Sequence, residues 1–171
     1  NYDHSTFYKL PTNPSPNLRS MESIFLYPSL CLFEGTNVSV GRGTETPFQV
    51  IGTPYIKPTS FHFTPRSSFG SASPPFNGEL CFGYNLSTLT PEELTEEKFT
   101  LKYILMMYAS FADKSQFFLA NGYFNKLAGN DLLMQQIKAG LTEEEIKISW
   151  QEDLNRFKSL RKKYLIYPDF E

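Results

Sequence analysis

Residues 80–91, LCFGYNLSTLTP, decide the fold. Leu80, Phe82, Tyr84 and Leu86 are apolar at period two, the repeat of a strand with one covered face. The stretch closes on Pro91, where the chain changes character. Eleven of the 12 prolines stand at or before Pro91, as do seven of the ten glycines, whereas 24 of the 34 charged residues follow it. Proline blocks helix interiors and holds its predecessor extended. Residues 1–91 therefore read as short strands and long ordered loops, and residues 92–171 as helices. That order gives an α+β fold with a small mixed or antiparallel sheet, in a single domain spanning 1–171.

Working upstream from this strand, Phe61 and Phe63 alternate with His62 and Thr64, a second candidate, and Phe48–Ile51 is a third. The apolar run Leu30–Phe33 reads as a buried strand. Ser20 is placed to cap a short helix, MESIFLY, ending before Pro28. Three turn-rich segments lie between these elements: TNPSPN (12–17), GTNVSVGRGTETP (35–47) and SSFGSASPPFNG (67–78), the last reading as merely flexible. Downstream, Thr95–Phe111 carries Phe99, Tyr103, Met106 or Met107, and Phe111 at helical spacing. A helix over Asp131–Lys138 is bracketed by Asn130 and Gly140. Thr142-x-x-Glu145 is a capping box opening a long helix whose stripe is Ile146, Trp150, Leu154, Phe157 and Tyr164. Glu152 and Arg156 pair at i, i+4, and Arg161, Lys162 and Lys163 suit a helix C-terminus.

Composition excludes several classes of function. The chain has 171 residues with 16 basic against 18 acidic, a net charge of −2. That balance lacks the basic stripe that nucleic acid requires. No apolar run approaches the ~18 residues of a membrane span. The opening NYDHSTFYKL has no apolar leader with a cleavage site, which reads as a mature chain or a piece of a longer one. Cys31 and Cys81 are too few and too far apart for zinc. Both sit in apolar runs and read as buried free thiols, a disulfide between them being the alternative. The glutamates 143–145 read as a favourable first helical turn and not as a metal site. Aromatic residues make up 16% of the chain, enough for a dense core and also for sugar-stacking or partner surfaces.

Chemistry concentrates in CLFEGTNVSVGRGTET, residues 31–46. Glu34 follows the apolar run, where partial desolvation by Leu32 and Phe33 favours a protonated carboxyl able to donate a proton. Gly41 and Gly43 flank Arg42, so the backbone can adopt positive φ and its amides can form an anion-binding concavity beside a planar guanidinium fork. Thr36, Asn37 and Thr44 add hydroxyl and amide partners for sugar hydroxyls or an acetamido group. The competing reading is a tight loop closed by a structural Glu34–Arg42 salt bridge. The glycine pair is no dinucleotide fingerprint, since Thr46 stands where a third glycine belongs. His62 reads as a surface or satisfied core residue, His4 lies near a terminus, and no Gly-x-Ser-x-Gly elbow occurs.

Four stretches carry a family resemblance: PSPNLRSMESIFLYPSLCLFEGTNVSVGRGTETPFQVIGTPYI (14–56), LCFGYNL (80–86), FFLANGYFNKLAGND (117–131) and AGLTEEEIKISWQEDLNRFKSLRKKYLIYPDF (139–170). Together they closely resemble the C-terminal half of the bacterial exo-β-N-acetylmuramidases, the NamZ-like proteins. The resemblance implies a glycoside hydrolase that releases terminal β-1,4-linked N-acetylmuramic acid from the non-reducing end of peptidoglycan fragments such as MurNAc-GlcNAc, with no cofactor. It implies an N-terminal Rossmann-like domain, absent here, that supplies a general acid and shares the cleft, and a periplasmic or secreted location. Glu34 then becomes the catalytic carboxylate of this half, or the group that orients the other one. Arg42, with Gly41 and Gly43, becomes a receptor for the lactyl carboxylate that distinguishes muramic acid from glucosamine. The alternative function is a non-catalytic peptidoglycan-binding ancillary domain.

Overall fold

Ser20 opens the first helix with a reciprocal cap, its hydroxyl accepting from the Ser23 N–H while Ser23 Oγ accepts from the Ser20 N–H, each at 3.2 Å. The computed structural model describes Thr6 and residues 8–169, and His4 lies outside the described residues. Helix α1 spans Met21–Leu30 and runs through Pro28 instead of stopping before it. Pro28 forfeits one helical hydrogen bond, but the turn it occupies buries Leu26 and Leu30 on the core face while Pro28 itself stays exposed. The helix then tightens into a 3-10 turn, Cys31–Gly35. The expected strand at Leu30–Phe33 is therefore helical, since a four-residue apolar run has no period that separates a buried strand from a buried helix.

Three strands form one antiparallel sheet in the order β1-β3-β2: β1 Val50–Thr53, β2 Phe61–Phe63 and β3 Cys81–Asn85. All three fall within the expected segments or overlap them. β1 begins two residues later than Phe48 because Phe48 takes φ 58°, a left-handed conformation that cannot pair in a ladder. Along β3, Cys81 and Gly83 are buried, while Phe82 and Tyr84 pack partly buried on the other face.

Among the described residues the helices lie mostly after the sheet: α2 Pro91–Glu97, α3 Lys102–Ser110, α4 Tyr123–Ala128, α5 Leu132–Ala139, α6 Glu143–Ser149 and α7 Gln151–Arg161. The architecture is α+β. The expected helix over Thr95–Phe111 is two helices, because Lys98 ends α2 at φ 49°. The expected long final helix is also divided, at Trp150, which closes α6 and opens α7. One hydrophobic cluster draws on both parts of the chain, with Leu30, Phe33 and Ile51 from the first and Leu101, Ile104, Met107, Phe124, Ile137 and Ile146 from the second. Of the stripe expected to face it, Ile146 is buried and Trp150 packs on its edge, but α7 buries no side chain. Arg156 pairs with Asp153 at 2.9 Å and not with Glu152, and Arg161 pairs with Asp169. No described helix is long and apolar enough to cross a membrane.

Candidate active site

The 3-10 turn after α1 places Glu34 between buried Phe33 and buried Gly35. A Cβ on Gly35 would lie 2.5 Å from the Phe124 Cα, so only glycine lets this turn meet the backbone of α4. That contact brings Tyr123, the first residue of α4, to the same cavity as Glu34. The chain returns as an irregular segment and presents Arg42, whose Nη2 donates to Glu34 Oε1 at 2.8 Å. Both side chains stay about three-tenths exposed (30% and 27%). The guanidinium carbon also lies 5.0 Å from the centre of the Phe48 ring, and Tyr27 packs on that ring at 5.2 Å. Burial, followed by the nearby charge of Glu34, pushes the Tyr27 phenol above its ordinary range.

Glu34 and Arg42 open onto a cavity of roughly 420 Å³, with Thr36 and Asn37 also in its lining. This size is at the small end of small-molecule sites, ~300–1,000 Å³, and suits one sugar unit better than an oligosaccharide. The Thr36 hydroxyl donates to the Phe33 carbonyl at 2.7 Å, and the Asn37 side-chain amide donates to the Gln116 carbonyl at 2.7 Å. Phe33, Val38, Val40 and Leu119 supply apolar wall, and Pro75 and Phe76 close it from the loop between β2 and β3.

The structure separates Gly41, Gly43 and Thr44 from this group, since none of them lines the cavity. Both glycines adopt the positive φ expected of them, 76° and 80°. Their work, however, is to hold the turn. The Gly41 N–H donates to Ser39 Oγ at 3.2 Å, and its carbonyl accepts from the Thr44 hydroxyl at 2.7 Å. The Gly43 carbonyl accepts from the Arg66 N–H at 2.9 Å, and a Cβ there would lie 2.4 Å from the Arg66 carbonyl oxygen. The amide of Gly41 is thus already committed, and the Arg42 guanidinium is the group of this turn that lines the cavity. Sequence reasoning did not find Phe76 or Tyr123. Its nearest signal for the first was a bulky residue inside the segment 67–78, read as flexible.

The remaining candidates lie elsewhere or carry other duties. His62 is exposed on β2, its ring edge-on to Phe82. Cys31 and Cys81 are both free thiols. Burial, with Glu34 nearby, pushes Cys31 up, and burial pushes Cys81 up to about 12, so neither is poised as a thiolate. Glu145 completes the cap of α6, and Glu143 bonds Lys147, Thr100 and the Leu101 N–H.

Comparison with known proteins places the chain in a family. The profile described as exo-β-N-acetylmuramidase NamZ, C-terminal, matches residues 25–167. Over 165 residues the chain is 39% identical to the peptidoglycan β-N-acetylmuramidase NamZ of Bacillus subtilis (strain 168), covering 90% of this chain and 40% of that protein. The crystal structure of a DUF1343 family protein from Bacteroides fragilis NCTC 9343 superposes with a TM-score of 0.91 at 46% identity, covering 99% of this chain and 47% of that one. The chain therefore spans less than half the length of these relatives. It belongs to the NamZ C-terminal family.

Proposed function

We propose that this chain is the C-terminal part of an exo-β-N-acetylmuramidase, a glycoside hydrolase that removes N-acetylmuramic acid from the non-reducing end of peptidoglycan fragments. The observation that carries the reading is the Glu34–Arg42 pair on the wall of a sugar-sized cavity, in a chain of this family. Glycosidases commonly set two carboxyl groups about the scissile bond, one donating a proton and one acting as a carboxylate. Glu34, paired with Arg42, takes the second role. The general acid comes from the preceding Rossmann-like domain, which closes the cleft. Arg42 offers five N–H donors, and Nη2 is the one that meets Glu34, so the fork retains donors for the lactyl carboxylate. Exposed Leu154, Phe157 and Leu160 on α7 support a partner domain, because an apolar ridge of that kind is seldom left to water. The substrate places the protein in the periplasm or outside the cell.

In the full-length protein, Glu34→Gln keeps the shape of the side chain and removes its charge. Release of N-acetylmuramic acid from MurNAc-GlcNAc is expected to fall by ~10²–10⁴-fold. Turnover at the wild-type rate removes Glu34 from the mechanism. The commitment of Glu34 to Arg42 favours one second reading, a non-catalytic peptidoglycan-binding ancillary domain. That reading requires the 171-residue chain to bind muropeptides by itself in calorimetry, whereas half of a shared cleft binds them weakly.

A further inference from the structure

The aromatic wall of the cavity is held in place at some cost. Phe76 has φ 58°, a conformation that a bulky side chain keeps only where its surroundings enforce it, and such strain gathers at ligand sites. Here the enforcement is explicit. The Glu79 N–H donates to the Phe76 carbonyl at 2.9 Å, the Gly78 N–H to the Pro65 carbonyl at 2.8 Å, and the Ser67 N–H to Asn77 Oδ1 at 3.1 Å. The whole loop is tied to the turn that carries Arg42 by the bond from the Arg66 N–H to the Gly43 carbonyl. Pro74 packs where a Gly43 side chain would stand, 2.8 Å from its Cγ. Tyr55 meets the Phe76 ring edge-on at 5.7 Å and rests in turn on Phe111. The ring is nonetheless only half-buried and forms part of the cavity lining, across a loop-to-turn contact from Arg42. A strained, braced and still accessible ring beside an ion pair is a built surface, and core packing alone does not require it.

We infer that Phe76 is the platform on which the terminal N-acetylated sugar stacks, a binding residue that holds the pyranose in the cavity beside Arg42 and Glu34. The inference rests on the enzymatic reading above and adds the residue that selects a pyranose. A flat ring packs against the C–H face of a sugar equally in the ground state and the transition state. Such uniform binding appears in KM and leaves kcat nearly alone.

The test uses the full-length protein and MurNAc-GlcNAc. Phe76→Ala is expected to raise KM by ~tenfold, with kcat within about threefold of wild type. Phe76→Leu keeps most of the volume without a flat face and is expected to raise KM similarly, which serves if the alanine variant melts early. Phe76→Tyr and Phe76→Trp are expected to stay near the wild-type KM. With an active wild type, an unchanged KM in both Phe76→Ala and Phe76→Leu, or a fall in kcat at constant KM, overturns this inference alone. A leucine variant indistinguishable from wild type reduces Phe76 to a packing role and overturns it as well. A wild-type protein that releases no sugar overturns the enzymatic reading, and the inference with it.

Discussion

At the scale of single residues, Arg42 is held three ways: by Glu34 at 2.8 Å, by the Phe48 ring beneath it, and by a turn whose glycines cannot be replaced without collision. A guanidinium fixed in this manner is pre-organised for a planar carboxylate, and a lysine offers neither the fork nor the stacking. Arg42→Ala is expected to raise KM ten- to a hundredfold for muramic substrates and little for the glucosamine analogues, matching the ~1.5–3 kcal/mol of a lost charged hydrogen bond. Arg42→Lys should recover only a small part of that loss. An equal penalty on both substrate classes, read by steady-state kinetics, sinks the lactyl assignment. This pair was legible in the sequence, since a carboxylate after an apolar run and an arginine between glycines announce themselves. The positive φ of Phe48 and Phe76 was not legible, because no local signal makes a phenylalanine left-handed, and only tertiary contacts impose it.

Among the elements, the ties between helices explain most of what the sequence concealed. Apolar spacing continues from Thr95 to Phe111, yet Phe99 leaves the helical path to pack at 6.4 Å on Trp150, and the helix breaks at Lys98. The N-cap at Ser20 and the capping box at Thr142 are local patterns and were readable as such, although the reciprocal bond to Ser23 Oγ was not. The third, at Thr90, went unread beside its proline. The role of Glu143 is not local. Its carboxylate accepts from the Thr100 hydroxyl at 2.8 Å and the Leu101 N–H at 3.0 Å, so α6 supplies the charge that α3 lacks at its own N-terminus. Burial pushes the Glu143 carboxyl up, but the Lys147 ammonium, the Leu101 N–H and the Thr100 hydroxyl together hold it below the ordinary carboxylate range. A carboxyl lowered by folding contributes stability above its unfolded value of ~4.3 and loses it as pH falls through the lower folded value. Glu143→Gln is therefore expected to cost about 1–2 kcal/mol at pH 7 in denaturant unfolding. The gap from wild type should close towards pH 3, and a pH-independent deficit would mean that shape, not charge, is at stake.

For the molecule as a whole, the question is what covers the last helix. The stripe from Ile146 to Tyr164 was readable as one apolar face, but a periodic pattern states that a face is covered without stating by what. Here Ile146 enters the core, while Leu154, Phe157, Leu160 and Tyr164 stay exposed, Phe157 at 57%. The chain matches two-fifths of its Bacillus relative, and the family profile is that of a C-terminal part, so in the proposed full-length protein the preceding domain is the candidate to lie against α7. A side chain left mostly in solvent contributes little to the stability of its own domain. Phe157→Ser should therefore leave the unfolding free energy of the 171-residue chain within about 0.5 kcal/mol of wild type. In the full-length protein the same change should cost about 2–4 kcal/mol, as a buried aromatic lost to a small polar residue does. Equal losses in both would place the ring within its own domain under solution conditions, and no loss in either would leave α7 to the solvent. Only a loss confined to the longer protein fits a helix that folds here and is buried against a neighbour.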